Sequence, residues 1–310
     1  MIVDLLENFY HKRADSGSRN PFRASRAGHC ERAMGYDKLG IEGEPITPRR
    51  AAVFRHGTIL DGALKADLAA VLGDRFVNLD DLGVNACEIE GVRITFTPDG
   101  AFQTDTGEIG IVEIKTMSDW GFERAMKGEI DHAYLCQAWT YSYGTSFNPV
   151  VFLCYRKETS HFCEVIFDRN RNDVAITQRF GGDPQALYIG DPLLIAEIRS
   201  PFDPSVEDEV RGKFRRLAEV KKESDLAGGV KAIEWETVKV QGKDNAAAWA
   251  NAHQADMSLA VRSGSWFTFG TGRKIAGFPC NYCSHIKRCL GAQLEFTAGN
   301  KPLWVIDAAA

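Results

Sequence analysis

The run VNACEIEGVRITFTPDGAFQTDTGEIGIVEIKT, residues 84–116, constrains the fold more than any other part of the chain. It breaks into four short segments rich in alternating or β-branched residues, separated by the turn signals Glu90-Gly91, Pro98-Asp99-Gly100 and Thr106-Gly107. A helix is predicted before it, from Thr47 to Leu72. Thr47-Pro48 supplies an N-cap and first-turn proline, Gly73 ends it, and Leu60, Leu64, Leu68 and Leu72 form a stripe expected to be buried. After it come a predicted helix over Asp131 to Tyr143 and two further strands, PVVFLCYRK and HFCEVIFD. Helix, strands, helix and strands in that order predict an α/β protein with a mixed sheet flanked by helices. Beyond Arg169 the chain is charged and reads as mostly helical (VEDEVRGKFRRLAEVKKE), while residues 226–274 show no clear pattern.

At 310 residues the chain fits one large domain. The expectation is a single domain over 1–310, with an N-terminal segment (1–46), a core (47–168) and a helical region (169–310). No apolar run nears the ~20 residues of a membrane helix. The opening MIVDLLENFYHKRAD lacks the pattern of an export leader, so a cytoplasmic protein without membrane partners is expected. Eight cysteines in that setting point to reduced thiols or metal ligands, not disulfides. No G-x-x-x-x-G-K-[ST] loop is present, which argues against a built-in ATP motor. The net charge of −5 gives no global pull on polyanions, but from Lys12 to Arg55 ten basic residues face five acidic ones. Such a cluster suits a phosphate backbone, or is simply a solvated face.

The chemistry concentrates at Asp99 and at Glu113-Ile114-Lys115. Residues two apart on a strand share a face, so Glu113 and Lys115 project together. Asp99, at the end of a neighbouring strand, would converge with Glu113 and the Ile114 carbonyl. Two carboxylates and a carbonyl are hard ligands suited to Mg²⁺ or Mn²⁺, and a lysine beside them can orient water or offset charge on a phosphate. The alternative is a salt-bridged strand pair. On the following helix Gln137 and Tyr141 stand four apart, on one face.

Asp99, Glu113-Ile114-Lys115 and Gln137-x3-Tyr141, in this order, resemble the RecB-like branch of the PD-(D/E)xK nucleases. The resemblance implies a restriction-endonuclease-like sheet. Asp99, Glu113 and the Ile114 carbonyl would hold the metal, and Gln137 and Tyr141 would shape the catalytic site. The family's upstream metal-ligand histidine is replaced here by Asp61 in RHGTILDG, with His56 as a rival.

Cys280, Cys283 and Cys289 lie in FPCNYCSHIKRC. Four other cysteines (Cys87, Cys136, Cys154 and Cys163) sit in apolar contexts, as buried thiols commonly do; Cys30 sits in a polar, basic one. One cysteine upstream and three downstream resemble the iron–sulfur nucleases, among them the AddB nuclease domain and the CRISPR-adaptation nuclease. There a [4Fe–4S] cluster on the positions of Cys30, Cys280, Cys283 and Cys289 closes the helical C-terminal part. Zinc, with His285 or His29 in place of Cys30, is the alternative. Closing so long a loop would restrict the unfolded chain by on the order of 5 kcal/mol.

The expected activity is therefore that of a divalent-metal-dependent deoxyribonuclease, an exonuclease on single-stranded DNA or DNA ends. Arg32, Tyr36, Arg156 and Lys157 would contact the strand. Repair, recombination or CRISPR adaptation would be its setting in a prokaryote or phage, with a recombination, helicase or CRISPR-adaptation protein as partner. The alternatives are a catalytically silent iron–sulfur or zinc DNA-binding module, and a redox or zinc scaffold without nucleic acid.

Overall fold

The structure is a computed structural model. It describes residues 2–13, 20–77, 83–127, 129–170, 173–179, 195–226, 238–239, 261–263, 266–268, 274–276, 283–296 and 302–306. The chain divides into two compact units. One comprises Met1–Arg13, Asn20–His29 and Pro48–Glu219; the other comprises Ala14–Arg19, Cys30–Thr47 and Val220–Ala310.

The first unit is built on a seven-stranded mixed sheet. In chain order its elements are helix α1 (Ile2–Arg13), helix α3 (Pro48–Leu72) and strand β1 (Phe76–Val77), then the hairpin β2 (Ala86–Ile89) and β3 (Val92–Thr95). Strands β4 (Gly100–Gln103) and β5 (Ile109–Met117) follow, then helices α4 (Asp119–Met126) and α5 (His132–Thr145). Strands β6 (Val150–Arg156), β7 (Phe162–Asp168), β8 (Asp173–Arg179) and β9 (Ile195–Pro201) precede helix α6 (Ser205–Glu219). The sheet order is β1-β4-β5-β6-β7-β8-β9, and β2–β3 form a separate two-stranded ladder. The pair β5–β6 is parallel and the other pairs of the large sheet are antiparallel. A parallel pair needs a crossover, and α4 with α5 supplies it.

Strand β5 lies inside the sheet, between β4 and β6, because GIVEI is apolar but for one carboxylate, and Gly110 to Ile114 are all buried. The leucine stripe of α3 faces inward: Leu64 is buried and Leu60, Leu68 and Leu72 are half-buried. Helix α5 is sunk in the unit, with Cys136 to Ser142 buried. Its start is set by Asp131, whose carboxylate accepts from the Ala133 amide at 2.9 Å, and its end by Ser146 in the left-handed region (φ 61°).

One expectation needs correction. The chain beyond Arg169 is not mainly helical among the described residues. DVAITQR and IAEIRSP are strands that extend the sheet, because their β-branched alternation is too short to fill a helical face. Among the described residues, Ser205–Glu219 and the short Ile286–Leu290 helix meet the helical expectation, the former burying Val206, Val210, Phe214 and Leu217. The segment 30–47, expected outside the core, is grouped apart from it. It falls in the second unit, where helix α2 (Glu31–Lys38) buries Tyr36 with Val220 and Leu226, against Leu39, Ile41 and Cys289.

The second unit also holds a six-stranded antiparallel sheet. It comprises β10 (Val238–Lys239), β11 (Val261–Ser263), β12 (Trp266–Thr268), β13 (Lys274–Ala276), β14 (Gln293–Phe296) and β15 (Pro302–Ile306). A short helix, α7 (Ile286–Leu290), precedes β14 and ends at Gly291 (φ 64°). The His285 ring is buried, 3.0 Å from Asp37 Oδ1 and tilted against Tyr36. No described helix is long and apolar enough to cross a membrane.

Candidate active site

The register of β4 against β5 creates the site. Gly100 pairs with Val112 and Gln103 with Ile109, so β4 begins opposite Val112 and leaves residues 113–117 of β5 unpaired along that edge. Asp99 directly precedes β4, and its Oδ2 accepts from the Ile114 amide at 2.7 Å. The sequence had placed Asp99 beside the Ile114 carbonyl; the observed contact is the amide of the same residue. A strand residue's N–H and C=O leave on the same side, so the carbonyl is directed to the same open edge.

The other oxygen of Asp99 faces α3. Lys65 Nζ lies 2.7 Å from Asp99 Oδ1 and 3.0 Å from Asp61 Oδ2. Burial disfavours the Lys65 charge, but the two carboxylates outweigh it and raise the pKa above its ordinary value. The ammonium thus stands where two acids share one cation, and a hard divalent ion satisfies the same donor set. A cleft of about 450 Å³ opens here, lined by Val53, Phe54, Gly57, Thr58, Asp61, Ile114, Thr116 and Lys157. His56, the rival of Asp61, is exposed on α3 and does not line the cleft.

Glu113 and Lys115 meet α5. Glu113 Oε1 accepts from Lys115 Nζ at 3.0 Å and from Gln137 Nε2 at 2.8 Å, and its Oε2 accepts from Tyr141 OH at 3.0 Å. Gln137 Oε1 takes a second bond from Lys115 Nζ at 3.0 Å, and Gln137 Nε2 also reaches Tyr141 OH at 2.9 Å. Lys115 Nζ lies 5.1 Å from the Tyr134 ring centroid and 5.6 Å from that of Phe152, where cation–π attraction adds to the ion pair. Burial pushes the Glu113 pKa up; Lys115 opposes that, and the Asp99 charge adds to it. Burial, and then the Glu113 charge, raise the Tyr141 hydroxyl. Two clusters therefore meet along β5, the shared-cation pair Asp61–Asp99 and the closed network Glu113–Lys115–Gln137–Tyr141.

Of the residues expected to contact a strand, Lys157 lines the cleft. Arg156 is tied to Asp119 at 2.5 Å and to Glu123 at 3.6 Å. Tyr36 is buried in the second unit, and Arg32 Nη1 donates to Cys289 Sγ at 3.5 Å. The buried Tyr36 does not present its ring to an open face, whereas Arg32 is half-exposed. Cys30, Cys283 and Cys289 all belong to the second unit; Cys280 lies outside the described residues. Burial raises the Cys289 pKa, Arg32 opposes this, and Cys30 lies close enough for its charge to add to it. Sequence reasoning missed Lys65 and Tyr134. The i,i+4 pair Asp61–Lys65 was a signal for the first; only the fold reveals the second.

No family model matches the chain, and no curated protein matches it. An alkaline exonuclease (LHK-Exo) from Laribacter hongkongensis aligns at 17% identity and TM-score 0.36, covering 69% of this chain and 94% of its own. Its complex with dAMP aligns at 17% identity and TM-score 0.35, covering 66% and 93%. SSO0001 aligns at 15% identity and TM-score 0.35, covering 72% and 87%. At TM-scores this low, none of these likenesses bears on the chemistry, which rests on the residues above.

Proposed function

We propose that the chain hydrolyses phosphodiester bonds in DNA with a divalent cation, acting on single strands or on duplex ends. The observation that carries this reading is the convergence of Asp61 and Asp99 on one cation, at the open edge of the strand bearing Glu113 and Lys115. Asp61, Asp99 and the Ile114 carbonyl would hold Mg²⁺ or Mn²⁺. Glu113 is a further carboxylate in electrostatic reach of Asp99. The ion, when bound, supplies positive charge that offsets the charge building on the phosphate and the leaving oxygen.

The chain's own groups do the rest. Lys115, held between Glu113 and Gln137, orients the attacking water and presents a protonated amine to the developing charge. Gln137 and Tyr141 fix Glu113, and through it Lys115. Lys157 on the cleft wall attracts the backbone phosphates.

End-labelled single- and double-stranded oligonucleotides, digested in Mg²⁺ or Mn²⁺, test the proposal. Asp99→Asn and Lys115→Met are expected to lower cleavage by about a hundredfold or more, with their circular dichroism unchanged. Variants that cut like the parent would sink the assignment. A second reading is a silent DNA-binding module, favoured by the full engagement of both Glu113 oxygens. Binding by the parent without cleavage in either metal selects it.

We further propose that Cys30, Cys280, Cys283 and Cys289 hold a [4Fe–4S] cluster, with zinc as the alternative occupant. Supporting this are the shared unit of the three described thiols and the electrostatic proximity of Cys30 to Cys289.

A further inference from the structure

A group of side chains in the first unit stands apart from the acid–lysine site. Among the described residues, His132, Cys136 and Glu209 bring three potential metal donors together, their ligand atoms all within 4.8 Å of one another. His132 opens α5 and Cys136 follows one turn later on the same face, while Glu209 comes from α6. His132 Nε2 is 2.8 Å from Glu209 Oε2 and 3.4 Å from Cys136 Sγ.

An ion pair accounts for His132 with Glu209 but not for the thiol. Cys136 is fully buried, yet its sulfur is turned to the half-exposed imidazole. Glu209 is also held from behind. Its Oε1 accepts from Lys213 Nζ at 3.3 Å, and that buried ammonium is anchored on the carbonyls of Ala27 at 2.6 Å and His29 at 3.1 Å. Outer groups that orient a ligand carboxylate are a regular part of metal sites. The spacing fits as well. Tetrahedral zinc, with Zn–N of about 2.0–2.1 Å and Zn–S of about 2.3 Å, needs N and S roughly 3.5 Å apart. Nitrogen and oxygen would need about 3.3 Å, a retreat of about half an ångström for the exposed Glu209 side chain. Imidazole, thiolate and carboxylate together favour zinc over magnesium.

We propose that His132 Nε2, Cys136 Sγ and Glu209 Oε2 form a zinc-binding site, with water in the fourth position. The thiol proton, and any proton on the imidazole, leave to solvent when the ion binds, and the ionised Glu209 releases none. The zinc ties α5 to α6 one residue before Gln137 and so steadies the side chain that holds Glu113 and Lys115. Zinc binding is measured directly, so its test stands or falls without the cleavage reading.

The test is titration of metal-free, full-length protein with Zn²⁺ against a chromophoric chelator, repeated with Co²⁺ to read thiolate-to-cobalt charge transfer. His132→Gln and Cys136→Ser are each expected to lose one tight equivalent of zinc relative to the parent. Glu209→Gln should bind that equivalent at least about tenfold more weakly. Cys283→Ser, in the second unit, should keep it. His132 and Glu209 are partly exposed, and thermal melts of their variants check the fold. Zinc stoichiometry and affinity unchanged in His132→Gln and Cys136→Ser overturn the site.

Discussion

Lys65 is the residue whose placement says most about the cleft. Its ammonium bridges Asp61 and Asp99, so a divalent ion must displace it. Lys65→Met should therefore bind Mn²⁺ about three- to tenfold more tightly, the range of one or two partly exposed ion pairs. Titration of DNA-free protein followed by electron paramagnetic resonance reads this, and weaker binding would contradict it. Glu113 carries a pH signature. Its folded pKa lies above the ordinary carboxylate value, so its contribution to stability is complete below the unfolded pKa of about 4.3 and is lost as pH rises through the folded value. Metal-free Glu113→Gln should thus melt above the parent at pH 8, with the gap closing as pH falls towards 4. A constant gap across that range would show that burial of the charge is not the cause.

At the scale of elements, α5 does two jobs: it carries Gln137 and Tyr141, and it packs against the β2–β3 hairpin. The packing is close at Gly144, where an added Cβ would lie 2.6 Å from Cys87 Sγ and 2.8 Å from Cys87 Cβ. Gly144→Ala should cost about 1–3 kcal/mol by overpacking, more than the ~1 kcal/mol that alanine returns in a helix. On α3, Gly62 has open space at the same test, so Gly62→Ala should keep that ~1 kcal/mol gain. Thermal melts of the two variants should move in opposite directions. Most of these elements were legible. The strand run 84–116, the α3 leucines and the 150–168 hairpin carry periodicity within one segment, which a sequence displays directly. Strands β8 to β15 were not legible as such, because their short alternations lie among charges and glycines that satisfy helix and loop patterns equally well.

For the whole molecule, the question is what draws residue 30–47 to the C-terminal segment. Apolar contact supplies part of it, through Tyr36, Leu39 and Ile41 against Leu226 and Cys289. Polar contacts add to it, His285 with Asp37 inside and Lys287 with Glu44 nearer the surface. A four-cysteine centre would close the same loop covalently, on the order of 5 kcal/mol in the chain-entropy model. Protein purified without oxygen is expected to contain iron and sulfide, and Cys289→Ser to lose both and to melt earlier. Zinc in place of iron would assign the alternative metal, and neither metal would dismiss the centre.

The amino-acid order alone determined the α/β class, the helix and strand carrying each acid and amide, and the pairing of Glu113 with Lys115 on one strand face. These follow from local periodicity and from the two-residue repeat of a strand. Only the tertiary structure decided that Lys65 bridges Asp61 and Asp99, that Gln137 and Tyr141 of α5 engage Glu113, that Tyr36 is buried, and that His132, Cys136 and Glu209 meet. Each of those depends on the register between elements distant in sequence, set by how the apolar faces of α3, α5 and α6 pack in the first unit and α2 in the second.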